Sequence, residues 1–285
     1  MRAAVRAALT AAADGTVGLL LAPACAACRR PLEHPLRSAV CEDCWSAIVP
    51  ITPPSCRTCG DALPTWRVLS VADSLCPRCR RRPPVVAVAR AVGPYEGALR
   101  SIVHALKYDA RPTIARGLAA LMARAGADVL CGAEAVVPVP LHRSRERSRG
   151  FNQARELARH LPLPMLDVLV RTRRTKSQAD LPAARRHANV RGAFEVSARA
   201  IAPLKWRATR RATWYSVVRA AWRGRDHGHV ARHFSCADVR DAVLVLVDDV
   251  ATTGATLDAC AQVLLEAGAR EVRAITAARA VTRSR

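Results

Sequence analysis

A parallel α/β sheet flanked by helices, preceded by a small cysteine-rich module, is the fold class this sequence predicts. Three observations predict it. Val243 to Val247 is an unbroken run of β-branched and Leu residues, as suits a strand buried on both faces between layers of helices. That run and a second apolar one, Val136 to Val139, each pass through a loop into residues at helical spacing, the rhythm of a parallel sheet. Ahead of both, residues 25 to 79 carry eight of the eleven cysteines as four C-x-x-C pairs.

At 285 residues the chain has room for one substantial domain and a small one. Its 45 Lys and Arg outnumber 23 Asp and Glu, for a net charge of +22, and all but three of the cations (Lys107, Lys176, Lys205) are Arg. Such a balance suits phosphates or nucleic acid. A general drift of the coding sequence toward Arg and Ala codons gives the same count, so charge alone does not separate the two. No stretch is a convincing membrane span. Leu20 to Cys25 hints at a secretory or lipoprotein cleavage site, but Cys25 belongs to the cysteine series, and the expected compartment is the cytoplasm.

Taken in order, residues 1–22 predict a short amphipathic N-terminal helix. Residues 23–82 form the cysteine module, with pairs Cys25/Cys28, Cys41/Cys44, Cys56/Cys59 and Cys76/Cys79. A two-residue gap lets both thiolates of a knuckle reach one metal, and two knuckles complete a tetrahedral site. Sequential pairing is the natural arrangement for two structural Zn²⁺ ions, and interleaved pairing stays open. Disulfides are disfavoured in a cytosolic chain. Large apolar residues are few here, so metal has to replace a core. With all positions filled by sulfur, no open coordination site remains for chemistry.

Arg80 to Pro84 is a basic, proline-bearing joint, and residues 83–285 form the second domain. Val85 to Val92 predicts a strand, Tyr95-Glu96-Gly97 a turn, and Leu99, Ile102, Val103 and Leu106 a helix ended by Lys107-Tyr108. Another helix covers Ala115 to Ala125. After the Val136 strand, Leu141 to Gln153 is an Arg-dense loop with Arg143 and Arg149, followed by a helix through His160. Residues 171–194 are polar, basic and poor in sheet formers, and read as a lid over a ligand or as ordinary disorder. Val272 to Ala278 is a last strand, with an Arg-rich tail from 279 expected to fray.

The most informative stretch is Val243 to Leu257. Asp248 and Asp249 follow the apolar strand, at its carboxyl end, where ligands of open α/β sheets sit. Val250 and Ala251 lead into Thr252-Thr253-Gly254-Ala255-Thr256, a loop of small residues and hydroxyls that opens a helix with Gly268 as its stop. Exposed backbone N–H groups and a helix N-terminus favour a phosphate. Two carboxylates beside a phosphate make sense as acceptors for a vicinal diol. Together they describe a ribose 5-phosphate site. The Leu141–Gln153 loop, in the equivalent topological position, suits a second anionic group.

The string D-D-V-A-T-T-G-A-T after an apolar strand resembles the phosphoribosyl pyrophosphate (PRPP) loop of type I phosphoribosyltransferases. Further motifs extend the likeness: the four C-x-x-C pairs, Y-E-G-A-L-R-S-I-V-H-A-L-K-Y, V-P-V-P-L with R-G-F-N-Q-A, and Q-A-D-L-P-A-A-R-R-H-A-N-V-R-G-A-F. As an ordered set they resemble the ComF family, double-zinc-ribbon phosphoribosyltransferase-like proteins linked to competence and DNA uptake. The resemblance implies a type I phosphoribosyltransferase-like sheet behind a double zinc ribbon. It implies that Asp248 and Asp249 hold ribose hydroxyls, Thr252 to Thr256 the 5′-phosphate, and the loop with Arg143, Arg149 and Asn152 the pyrophosphate. Gln178, Arg186 and Asn189 fall in the lid, and Mg²⁺ accompanies PRPP through the ligand's own oxygens. Dimers are common among such proteins, so a homodimer is a candidate state.

The departure is residues 197–236, a block of nine basic residues and one acidic that interrupts the usual short connection. Its Trp206, Trp214 and Trp222 among arginines suit single-stranded nucleic acid; a lineage-specific floppy insertion or a mistaken gene model is the plainer reading. Two functions follow. One is PRPP-dependent transfer of ribose 5-phosphate. The other is a non-catalytic phosphate or nucleotide sensor whose zinc ribbons contact single-stranded DNA or a competence helicase.

Overall fold

The computed structural model describes residues 23–63, 74–108, 111–175, 183–197 and 239–280. In chain order its elements are helices α1 (Glu42–Ser46) and α2 (Pro77–Arg81), strand β1 (Ala89–Pro94), and helices α3 (Gly97–Tyr108), α4 (Ile114–Ala125) and α5 (Ala127–Leu130). Strand β2 (Ala135–Pro138), helices α6 (Arg143–Arg149) and α7 (Gln153–Arg159), strand β3 (Leu169–Arg171), helix α8 (Ala183–Val190) and strand β4 (Phe194–Val196) follow. Strand β5 (Val243–Ala251), helix α9 (Ala255–Glu266) and strand β6 (Glu271–Arg279) complete the series. Strands β1, β6, β5 and β2 form, in that order, one sheet in which each neighbouring pair is parallel. Strands β3 and β4 form a separate antiparallel pair. The expected α/β class holds.

Strand β5 lies inside the sheet because it is apolar on both faces. Val243, Val245 and Val247 pack into the core built from α3 and α4, among Leu99, Ile102, Leu106, Leu118 and Met122. Leu244 and Leu246 pack into the opposite core with Leu257, Cys260, Ala261 and Leu264 of α9 and with Leu169 and Phe194 of the antiparallel pair. Each large aliphatic buried this way contributes about 1.5–3 kcal/mol. The stop at Gly268 is realised by a double closure, Ala269 N–H to Leu264 O and Gly268 N–H to Leu265 O.

The cysteine module is not an independent bead. Cys25, Val40 and Cys44 belong to the same core as α3 and α4. The Trp45 ring lies so close to Gly117 that a Cβ there would sit 2.6 Å from a ring carbon. The other four cysteines form their own cluster, with Leu63 and Leu75 alone packed against it among the described residues, as expected where metal substitutes for a core.

Several expectations need correcting. The first strand begins at Ala89 rather than Val85: the Asp258 carboxylate takes the Val85 N–H at 3.0 Å, and only Ala87 and Val88 of the intervening residues bond to β6, through Val272 O and Ala274 N–H. The Arg-dense loop holds a helix of its own, α6, capped by His142 Nδ1 accepting from Ser144 N–H and closed at Gly150. The basic stretch 171–194 is bracketed by β3 and β4 and contains α8. Strand β5 runs past Val247 to Ala251, so Asp248 to Ala251 are strand, because β6 is long enough to pair with them through Arg279. Arg279 does not begin a frayed tail; it is 4% exposed and paired with Asp61. The expected helix over residues 1–22, Gln178, and all of the inserted block but Ser197 lie outside the described residues. Among the described residues no helix is long and apolar enough to cross a membrane.

Candidate functional site

The eight knuckle cysteines fall into two groups, Cys25/Cys28/Cys41/Cys44 and Cys56/Cys59/Cys76/Cys79, each with its sulfurs within 4.8 Å of one another. Pairing is therefore sequential. A tetrahedral Zn²⁺ with Zn–S near 2.3 Å sets sulfurs about 3.8 Å apart, and the Cys28–Cys41 and Cys59–Cys76 pairs stand at 3.7 and 3.6 Å. Backbone N–H groups point at sulfur in both, Cys41 to Cys25 Sγ and Cys76 to Cys56 Sγ. Hydrogen bonds from the Arg30 backbone and guanidinium pull the Cys28 thiol down to about 6, toward the thiolate a metal needs. Both donor sets fit Zn²⁺.

At the carboxyl end of β5 the two aspartates diverge, because successive strand residues point to opposite faces. Asp249 follows Val245 and Val247 toward α3, where Lys107 Nζ lies 2.9 Å from its Oδ1. Asp248 follows Leu244 and Leu246 toward α9 and β3, within the fields of Cys260 and Arg171. Asp249 is 9% exposed, whereas Asp248 keeps more of its surface open. Burial, then the Asp249 charge, push the Asp248 carboxyl up to about 7. Its bond from the Asp249 N–H at 2.8 Å and the pull of Lys107 and Arg171 only partly oppose this. Burial works against the Lys107 charge, yet the aspartates prevail and its pKa is raised.

Thr252, Thr253 and Gly254 turn the chain from β5 into α9, and Ala255 and Thr256 open that helix. Gly254 takes φ +83°, with open space where a Cβ would stand, so backbone conformation alone requires glycine. The first intrahelical bond is Asp258 N–H to Gly254 O. Among the described residues no acceptor meets the N–H groups of Ala255, Thr256 and Leu257, at the positive end of the helix dipole. Thr253 Oγ1 is buried without a hydrogen-bond partner among the described residues.

The basic loops divide. Arg143 is exposed at the start of α6. Arg149 lies 5.1 Å over the Tyr108 ring and donates to Gln153 Oε1 at 3.1 Å. Asn152, expected at the pyrophosphate, is instead committed within the protein. Its Oδ1 caps α7 by accepting from Ala154 and Arg155, its Nδ2 donates to Val139 O, and it is 4% exposed. Arg186 and Asn189 lie on α8, which packs beside α9 through His187 and Asp258, 3.7 Å apart.

Arg145 and Arg171 come together although neither was singled out from sequence. Both donate to Thr175, Arg145 to its carbonyl at 3.2 Å and Arg171 to its hydroxyl. Arg171 stacks on Phe194, and its Nε is buried without a partner among the described residues. Burial, then repulsion from Arg145, lower its pKa. Lys107 was also missed as a site residue. Its signal was available: it is one of three lysines in a chain that otherwise uses Arg. Arg145 and Arg171 carried none, being two arginines among many.

Residues 16–80 match the double zinc ribbon domain family, and residues 147–284 match the phosphoribosyl transferase domain family. Competence protein F of Haemophilus influenzae is 28% identical over 266 residues, covering 90% of this chain and 96% of that protein. DNA utilization protein YhgH of Escherichia coli K12 is 27% identical over 252 residues, covering 81% of this chain and 93% of that protein. YhgH of Salmonella typhimurium is 28% identical over 262 residues, with the same shares. With both domains in this order and relatives matched along most of its length, the chain combines a double zinc ribbon with a phosphoribosyltransferase domain, the arrangement in which it resembles the ComF family.

Proposed function

We propose that the protein binds PRPP with Mg²⁺ in the cytoplasm and transfers ribose 5-phosphate to a nucleophile, releasing pyrophosphate. In this reading residues 83–285 are the ligand-binding domain and residues 23–82 the zinc domain. The observation that carries it is the junction of β5 and α9. A left-handed Gly254 and three uncommitted helix N–H groups stand beside two strand-end carboxylates, one held by Lys107. The 5′-phosphate sits on Thr252 to Thr256. Ribose hydroxyls donate to Asp248 and Asp249, which flank the strand end from its two faces. Arg145 and Arg171, with Arg143 and Arg149 nearby in sequence, take the pyrophosphate.

The C1′–O bond to pyrophosphate breaks and its electron pair leaves with pyrophosphate. The acceptor's electron pair forms the new bond to C1′, and any acceptor proton is released. Guanidinium groups already in place stabilise the charge that develops on the leaving group. Among the described residues the strand end offers Mg²⁺ no cage, since Lys107 covers Asp249 and the Asp248 carboxyl is pushed up to about 7; this fits an ion that arrives on the ligand's own oxygens and spreads its charge.

The test is calorimetric titration of PRPP and Mg²⁺ into zinc-loaded protein. Binding by the wild type and its loss in Asp248→Asn/Asp249→Asn is the expected result. A folded, zinc-loaded wild type that binds no PRPP refutes the proposal.

The names of the relatives, a competence protein and a DNA utilization protein, favour a second reading. The domain is then a phosphate sensor, and the zinc ribbons engage single-stranded DNA or a helicase. Binding of an oligonucleotide that weakens steeply with salt and disappears on zinc removal supports it; affinity indifferent to salt counts against it.

A further inference from the structure

The second cysteine tetrad reaches the phosphate loop through one side chain. Arg78 lies inside the knuckle Cys76-Pro77-Arg78-Cys79, on α2. Its Nη1 donates to the Thr252 carbonyl at 3.3 Å, and its Nη2 to Asp61 Oδ2 at 3.0 Å. Asp61, two residues beyond Cys59, also receives Arg279, which stands opposite Ala251 in the β5–β6 ladder. The guanidinium is thus fixed on one side by a carboxylate that is itself fixed to the sheet, and on the other it holds the first carbonyl of the loop. The same knuckles rest on β1, where Ala89 N–H donates to Thr58 O at 2.6 Å. The first tetrad makes no comparable contact with this loop among the described residues; it packs on α3 and α4.

In a planar trans peptide the carbonyl and the next N–H point in opposite directions. A Thr252 carbonyl turned toward the ribbon therefore sends the Thr253 N–H away from it, and a flipped peptide would present an oxygen in place of that donor. We infer that Arg78 is a positioning residue: anchored in the second zinc knuckle, it sets the Thr252–Thr253 peptide so that the loop presents N–H groups to a 5′-phosphate. This rests on the reading of Thr252 to Thr256 as the 5′-phosphate loop. It also makes zinc in the second tetrad a condition for tight binding at that loop.

The experiment compares wild type, Arg78→Ala and Arg78→Lys as full-length, zinc-loaded proteins. Zinc content verifies both tetrads. Hydrogen exchange follows the amides of residues 252–256, and calorimetry measures ribose 5-phosphate and inorganic pyrophosphate separately. A lost charged hydrogen bond of this kind predicts about tenfold weaker ribose 5-phosphate binding in Arg78→Ala. Pyrophosphate binding should be unchanged, exchange faster at those amides, and affinity partly restored in Arg78→Lys. A general loss of packing would weaken both ligands alike, and that outcome overturns the inference. So does an Arg78→Ala protein that matches wild type in exchange and affinity. If wild type itself fails to bind ribose 5-phosphate, the phosphate-loop reading falls and this inference falls with it, an outcome distinct from failure of Arg78 alone.

Discussion

Asp248→Asn should stabilise the protein, and by more as pH rises. In the unfolded chain the Asp248 carboxyl ionises at its ordinary 3.8; in the folded protein it holds its proton to about 7. Between those values the folded state binds more protons than the unfolded one. Each pH unit there costs the folded state about 1.4 kcal/mol, and above the folded value the penalty is constant. From pH 5.5 to 8 the penalty grows by about 2 kcal/mol. Asparagine carries no charge and keeps an oxygen for the Asp249 N–H that Asp248 now accepts at 2.8 Å. The stability of the variant minus that of wild type should therefore rise by about 2 kcal/mol across the window.

Urea unfolding of both proteins at fixed zinc, in steps from pH 5.5 to 8, measures it. Both carry the same tetrads, so proton-linked zinc binding cancels in the difference. Lys107 and Cys260, whose fields act on the carboxyl, both have raised pKa values and titrate above the window. A difference that stays flat with pH, or a variant that loses ground as pH rises, refutes the assignment of a half-buried, neutral-leaning acid. Confirmation would carry a functional corollary. A carboxyl that weakens the fold at neutral pH, at the carboxyl end of a central strand, is one retained for a ligand.

Three other outcomes follow from the same geometry. Lys107→Met leaves Asp249 without its cation at 2.9 Å, and should cost about 3 kcal/mol in urea unfolding at pH 8; unchanged stability would show that the pair is not held in solution. Gly254→Ala forces a Cβ onto φ +83° and should cost about 1–2 kcal/mol with no steric clash to relieve, read by thermal unfolding, together with weaker ribose 5-phosphate binding. Cys59→Ser should lower bound zinc from about two equivalents to about one, measured by native mass spectrometry, and loosen the second tetrad while leaving the first filled.

The elements that read most clearly in the sequence are those whose signal is local. The run Val243 to Val247, the spacing of Leu99, Ile102, Val103 and Leu106, and the C-x-x-C pairs each specify their structure within a dozen residues, and each appears where expected. Strand ends are less legible. Asp248 and Asp249 look like a loop doublet in sequence, yet they are strand, because β6 continues to Arg279 and offers a ladder that far. That continuation is itself secured by Asp61, 218 residues away, through an ion pair no local pattern announces. The consequence reaches the chemistry. A loop doublet could turn both carboxylates to one side; a strand sends them to opposite faces, so one meets Lys107 and the other Arg171.

The arginines of the candidate site were illegible for a related reason. Among 45 Lys and Arg, charge carries almost no information about position. What distinguishes Arg78, Arg145 and Arg171 is what each is locked to: the Thr252 carbonyl for the first, and the two oxygens of Thr175 for the others. Arg78 and Arg145 meet partners from distant segments that only the fold brings together, while Arg171 reaches Thr175 four residues on. The zinc ribbon thus enters the argument twice. In the sequence it is a metal-binding module ahead of a phosphoribosyltransferase-like domain. In the fold its second half is part of the wall of that domain's loop, and this is why a variant in a knuckle that touches no ligand should be felt in the affinity for one.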